Sequence, residues 1–111
     1  VVCDLQSNAL YFSRNPIPTR FKTNRIPMGK QVCIIPFRRN FLLEYTSMTP
    51  TPLEIAESID MLRILEHGMT VRLVPSKYNT IAVDTETDRR TVEKLLADDP
   101  VTSLYCDYKK L

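Results

Sequence analysis

Residues 51–68 carry both a start and a stop for a helix. Thr51 has the hydroxyl of an N-cap, and Pro52 supplies a pre-set φ at the first helical position. Glu54 stands at the third, where its carboxylate can reach back to the cap N–H. His67 and Gly68 provide the end: a polar ring in the last turn, then a residue that takes positive φ without a Cβ clash. Between them Ile55, Ile59, Leu62 and Leu65 recur at helical spacing. That predicts one helix over residues 52–67 with those side chains toward the core. The opposite face sets Glu57 and Asp60 among Leu53, Met61 and Ile64. A carboxylate among apolar side chains needs a cation, water or a polar ligand. Arg63, three residues beyond Asp60, offers an ion pair, and a bound polar ligand is the alternative.

Extended and helical patterns alternate around that helix. Residues 1–5 and 9–14 are apolar runs parted by Gln6-Ser7-Asn8, which predicts a hairpin. Residues 15–30 carry three prolines and little periodicity, the pattern of a long mobile loop. Residues 31–37 are apolar on both faces, as in a strand covered on each side, with Pro36 marking its end or a bulge. A short helix is expected over 39–46, a strand over 71–75, and a short strand over 81–84 ending in Asp84. Thr85 and Asp88 then form a second capping-box pattern, opening a helix that stops before Pro100. The alternation predicts an α/β chain. Tyr11, Phe12, Phe37 and Tyr45 read as core.

Two positions bear chemistry. Arg14 ends an apolar strand, ahead of Pro16 and Pro18; its planar fork suits a carboxylate or phosphate, or a surface ion pair. Asp84 sits where an α/β sheet collects ligands, beyond a strand's carboxyl end, and could hold Mg²⁺ against a polyphosphate. It could equally cap the helix that follows. Ser13 has no neighbouring His or Lys to activate it, which argues against a nucleophile.

Composition excludes several classes. The 15 basic and 13 acidic residues are scattered, giving a net charge of +2 and no basic stripe for nucleic acid. No apolar run reaches membrane-spanning length. Cys3, Cys33 and Cys106 lie far apart, which fits reduced thiols in a cytoplasm. The single histidine, His67, cannot build an imidazole metal cluster. With only two glycines the chain has no glycine-rich loop to wrap phosphates. It also begins at Val1, inside a strand-like run, so a piece of a longer protein is expected.

Four segments, taken in order, resemble the C-terminal half of the CMP-Kdo synthetases, the 3-deoxy-manno-octulosonate cytidylyltransferases. "ALYFSRNPIP" is similar to that family's strand-and-proline signature. "FRRNFLLEY" followed by "TPTPLEIAESIDMLRILEHG" resembles its Pro-Leu-Glu helix region, and "AVDTETD" resembles its Val-Asp-Thr turn. The resemblance covers residues 1–95. It implies the C-terminal part of a Rossmann-like nucleotidyltransferase fold, with a mixed sheet, flanking helices and a homodimer. Residues 1–111 would form the acceptor-binding and dimerisation part, with the nucleotide-binding half outside this chain.

The implied reaction transfers CMP from CTP to an acidic sugar acceptor with release of diphosphate, in the cytoplasm. Asp84 would be catalytic as a Mg²⁺ ligand, shared with a carboxylate outside this segment, and Arg14 would face the acceptor's acid group. Gln31, Glu57 and Asp60 would shape the sugar side. The chain departs from the family where Gln31 replaces a histidine, Ile35 a pocket tyrosine, and Asp60-Met61 a Glu-Gln pair. Those departures point to a retained transfer centre with an altered acceptor pocket, open to another acidic sugar or a phosphonate. The isolated chain is expected to be inactive. A non-catalytic dimerisation or acceptor-binding module is the competing reading, and a regulatory protein on the same fold is a third.

Overall fold

A computed structural model describes residues 1–78 and 80–104. It is a small mixed α/β structure in two units that divide after Pro75.

The first unit opens with the expected hairpin. Strand β1 (Val2–Cys3) pairs antiparallel with β2 (Ala9–Tyr11), Val2 opposite Tyr11 and Cys3 opposite Ala9, with an irregularity between. Asp4 builds the turn. Its carboxylate accepts the Gln6 and Asn8 amides at 2.9 and 2.8 Å, as an Asx-type turn does. The expected strand over 71–75 is reduced to a single bridge between Asn8 and Arg72. The Ala9 N–H donates to the Val71 carbonyl and the Leu73 N–H to the Ser7 carbonyl, both at 2.8 Å.

Helix α1 (Arg39–Ser47) follows an irregular path from Phe12 to Arg38. Phe41 and Tyr45, one turn apart, both meet Phe37, with ring centroids 6.1 and 5.4 Å away. Residues 31–37 form no strand. The Ile34 N–H donates to the Val32 carbonyl at 2.8 Å, a three-residue bend, and Ile34 is 80% exposed. A strand covered on both faces needs neighbours, and the described residues supply none. Residues 81–84 likewise form no ladder with any described residue, and Val83 is exposed.

The predicted helix over 52–67 is two helices, α2 (Pro52–Glu57) and α3 (Met61–Glu66). Its start holds: Thr51 and Glu54 take the capping-box arrangement with Pro52 at the first position, the Thr51 N–H donating to Glu54 Oε2 at 3.2 Å, while the Glu54 amide goes to Glu66 Oε2 at 3.3 Å rather than to the Thr51 hydroxyl. Its end holds too. Gly68 has φ +74, the Gly68 N–H donates to the Leu65 carbonyl at 2.9 Å and the Met69 N–H to the Ile64 carbonyl at 3.0 Å, a Schellman closure. The break comes at Ser58, which adopts φ 53 and ψ 48. Both the Ser58 and Ile59 amides turn onto the Glu54 carbonyl, so α2 ends in the same left-handed manner without a glycine.

The break rotates the second half against the first. Met61, Leu62 and Ile64 enter the core with Ala9 and Phe12, while Ile55 is 70% exposed. Leu62 and Phe12 therefore pack as expected, but Ile55 does not. Arg63 bonds Glu54 rather than Asp60. Its Nε donates to Glu54 Oε2 at 2.7 Å and its Nη2 to Oε1 at 2.5 Å, while its guanidinium lies 4.8 Å from the Tyr45 ring centroid. This pairing holds the Glu54 carboxyl below its ordinary range.

The described part of the second unit contains α4 (Glu86–Ala97) and a 3-10 turn at Thr102–Leu104. Thr85 and Asp88 form the expected capping box, the Thr85 N–H donating to Asp88 at 2.9 Å. The α4 surface carries ion pairs of Arg89 with Glu86 and Glu93. Hydrogen bonds from Arg89 and Arg90 push the Glu86 carboxyl down to about 2. Cys3 and Cys33 are exposed free thiols, and Cys106 lies outside the described residues. No helix among the described residues is long and apolar enough to cross a membrane.

Candidate functional site

The tip of β2 meets the break between α2 and α3, and the side chains gathered there are polar. Tyr11 and Ser13 lie two residues apart, which in extended chain puts them on one face. Both turn to Glu57. The Tyr11 hydroxyl donates to Oε1 at 3.2 Å and the Ser13 hydroxyl to the same oxygen at 3.0 Å. The Arg14 amide donates to Oε2 at 2.8 Å. These donors hold the Glu57 carboxyl below its ordinary range, the Arg14 amide contributing most. Burial, reinforced by the Glu57 bond, pushes the Tyr11 phenol up.

Arg14 answers with its side chain. Nε donates to the Glu57 carbonyl at 2.6 Å and Nη2 to the Ser58 carbonyl at 3.2 Å. Those carbonyls are among the orphan acceptors of the α2 C-terminus, where a cation is favoured. The Nε–Nη2 edge of the fork is thereby committed. Nη1 has no hydrogen-bond partner among the described residues, which leaves the end edge of the guanidinium open to an anion.

Beside this clasp lies an open recess of about 270 Å³, lined by Phe12, Ser13, Arg14, Lys30, Gln31 and Ile59 among others. It joins two cations and an amide to apolar walls, the mixture that a small acidic ligand requires. Of the residues singled out in the sequence, Arg14 and Gln31 meet here. Glu57 does not line the recess; it stands behind Arg14. Asp60 does not line it either. Its carboxylate is exposed and its carbonyl accepts the Tyr45 hydroxyl at 3.4 Å. Ile35 is also outside the lining.

Asp84 belongs to the second unit. It does not cap α4, since Thr85 holds that position and receives the Asp88 amide at 3.2 Å. The Asp84 carboxylate is exposed and takes no hydrogen bond from any described residue. Among the described residues, no three His, Cys, Asp or Glu side chains cluster to hold a metal. One uncommitted carboxylate nevertheless suits Mg²⁺, which is held by one or two carboxylates with waters and phosphate oxygens.

The sequence places Tyr11 in the core and argues against Ser13 as a nucleophile, and it does not single out Lys30; the structure instead turns both hydroxyls to Glu57. The first two were legible as a same-face pair ahead of Arg14; their convergence on a residue more than 40 positions away was not.

A family model described as cytidylyltransferase matches residues 1–73, nearly the whole first unit. The chain belongs to the cytidylyltransferase family. Arg14, Gln31, Glu57 and Asp60 fall inside that match, and Asp84 lies beyond it. The relatives carry a more specific name. The 3-deoxy-manno-octulosonate cytidylyltransferase of Geobacter metallireducens is 42% identical over 107 residues, covering 86% of this chain and 42% of the relative. That of Synechococcus elongatus is 45% identical over 89 residues, covering 79% and 36%. That of Fusobacterium nucleatum is 41% identical over 86 residues, covering 78% and 35%. The chain spans about two fifths of the length of the first of these relatives and slightly less of the others.

Proposed function

We propose that this chain is the acceptor-side segment of a cytidylyltransferase that joins CMP from CTP to an acidic sugar of the 3-deoxy-manno-octulosonate kind, releasing diphosphate. Family membership supports the reaction class, and the relatives' shared name supports the acceptor class. The observation that carries the reading is the Arg14 fork, anchored along one edge and open along the other beside a recess that also holds Lys30 and Gln31.

In this reading residues 1–111 are the C-terminal segment of a Rossmann-like nucleotidyltransferase domain that works as a cytoplasmic homodimer. The Arg14 fork binds the acceptor's carboxylate and orients the hydroxyl that attacks the α-phosphorus. Lys30 adds positive potential at the recess, and Gln31 donates to or accepts from a sugar hydroxyl. Ile35 and Asp60 stand outside the recess, so the acceptor meets fewer polar groups than the family pattern implies, and another acidic sugar fits as well. Asp84 would hold Mg²⁺ with a carboxylate from elsewhere in the protein. When bound, Mg²⁺ neutralises charge on the triphosphate and the departing diphosphate.

Titration calorimetry of the full-length protein with CTP and Mg²⁺, wild type against Asp84→Asn, tests the metal side. The expected result is loss of the Mg²⁺-dependent part of CTP binding in the variant. Equal binding and turnover in both proteins removes Asp84 from the site. The low glycine content favours a second reading, an acceptor-binding module without chemistry of its own. Diphosphate release from CTP by the isolated chain, across a panel of acidic sugars, separates the two.

A further inference from the structure

Three donors of the β2 tip converge on one carboxylate, and the residue bearing it also offers its carbonyl to Arg14. A carboxylate has about four acceptor positions, so Glu57 is nearly saturated by its own chain. It does not line the recess. Yet it fixes Arg14 twice over, through the amide at 2.8 Å and through Nε at 2.6 Å. The second of these exists because Ser58 is left-handed and ends α2 there, which leaves the Glu57 and Ser58 carbonyls free of helical partners.

We infer that Glu57 is a positioning residue for acceptor binding, which holds the Arg14 fork with its open edge at the recess and makes no contact with the acceptor itself. The inference rests on the proposed cytidylyl transfer for its kinetic consequence, but its structural half stands apart. With Glu57 in place, Tyr11 and Ser13 pin the strand tip and the Arg14 amide fixes where the side chain leaves it. The guanidinium then has one edge to give to the helix end. Remove the carboxylate and the strand tip loses three bonds at once, so the backbone that carries the fork is no longer fixed and only the bonds to the main-chain carbonyls of residues 57 and 58 still hold the guanidinium. Asp60, three residues on, cannot substitute, because its carboxylate is exposed and bonds none of these donors.

Two measurements on the full-length protein test this. The first is the Arg14 Nε–H signal in a nitrogen–proton NMR spectrum, assigned by its loss in Arg14→Lys. A slowly exchanging signal is expected in wild type and a faster one in Glu57→Ala, where the main-chain acceptor remains but the strand tip that aims Nε at it is loose, with Glu57→Gln in between. The second is steady-state kinetics. Glu57→Ala is expected to raise the acceptor KM about tenfold, the change for one lost charge-assisted hydrogen bond, and to leave the KM for CTP unchanged. Glu57→Gln keeps one acceptor oxygen and recovers part of the loss.

An unchanged Nε–H exchange in both variants overturns the carboxylate's part in holding the fork, whatever the enzyme's activity. Equal rises in the KM for acceptor and CTP, or a fall in kcat alone, overturn the positioning role while leaving cytidylyl transfer intact. If wild type transfers nothing to any acidic sugar, the functional reading fails and the NMR result still decides the clasp. Thermal melts of both variants identify a protein that has merely unfolded, in which case Glu57→Gln carries the test.

Discussion

Arg14 and Glu57 hold each other at main chain and side chain together. The Arg14 amide donates to the Glu57 carboxylate at 2.8 Å, and the Arg14 guanidinium donates back to the Glu57 carbonyl at 2.6 Å. A strand tip and a helix end are thereby joined across 43 positions of sequence.

That clasp is sensitive to acid. The Glu57 carboxyl is held below its ordinary value of 4.5, chiefly by the Arg14 amide. A carboxylate depressed in the folded state adds stability that is present above the ordinary value and lost as pH falls through the folded one. The melting temperature of wild type should therefore exceed that of Glu57→Gln at neutral pH. The gap should close as pH drops below 4.5, read by circular dichroism. A gap that stays constant into acid would show that the carboxylate's charge contributes nothing.

Of the left-handed residues, Ser58 and Gly68 predict mutational effects of opposite sign. Ser58 sits at φ 53 with a Cβ, and Gly68 at φ 74 without one. Ser58→Gly should stabilise by about 0.5 kcal/mol, since relief of the left-handed strain outweighs the extra chain entropy. Gly68→Ala should cost about 1 kcal/mol although nothing lies within 4 Å of an added Cβ, because the strain there is in the backbone. Urea denaturation of each variant checks both signs.

The Glu54–Arg63 pair ties α2 to α3. Glu54 is buried, and removing its carboxylate leaves the arginine without its bidentate partner. Glu54→Ala should cost about 3 kcal/mol in the same assay. The double variant Glu54→Leu with Arg63→Met should recover most of that loss, because no unpaired charge remains.

Local signals were legible where local chemistry decided the outcome. The capping boxes at Thr51 and Thr85, the closure at Gly68, and the hairpin around Asp4 each rest on residues within a few positions of one another. The break at Ser58 was not legible, because neither Gly nor Pro marks it. It is sustained by Arg14 arriving from a distant strand to take the freed carbonyls. Missing it misplaced the core face. Ile55 fits the helical stripe yet is 70% exposed, while Leu62 is fully buried. Leu62→Ala should thus cost about 3 kcal/mol and Ile55→Ala less than about 0.5 kcal/mol, where an unbroken helix would make the two similar.

The strands over 31–37 and 81–84 failed for a different reason. Apolar runs such as Cys33-Ile34-Ile35 declare burial, but a strand exists only with a partner ladder, and partnering is not written in the run itself. For the candidate site, the sequence singled out Arg14 and Gln31, which share the recess. It could not reveal that Glu57 stands behind Arg14, because that contact depends on the direction in which a helix ends.

The most direct measurement is the initial rate of diphosphate release by the full-length protein with saturating CTP and Mg²⁺, varying an acidic sugar, for wild type and Arg14→Ala. The account predicts turnover in wild type and a rise of at least about tenfold in the acceptor KM for the variant, with the KM for CTP unchanged. Identical acceptor KM values in the two proteins, or no turnover of any acidic sugar by wild type, would contradict it.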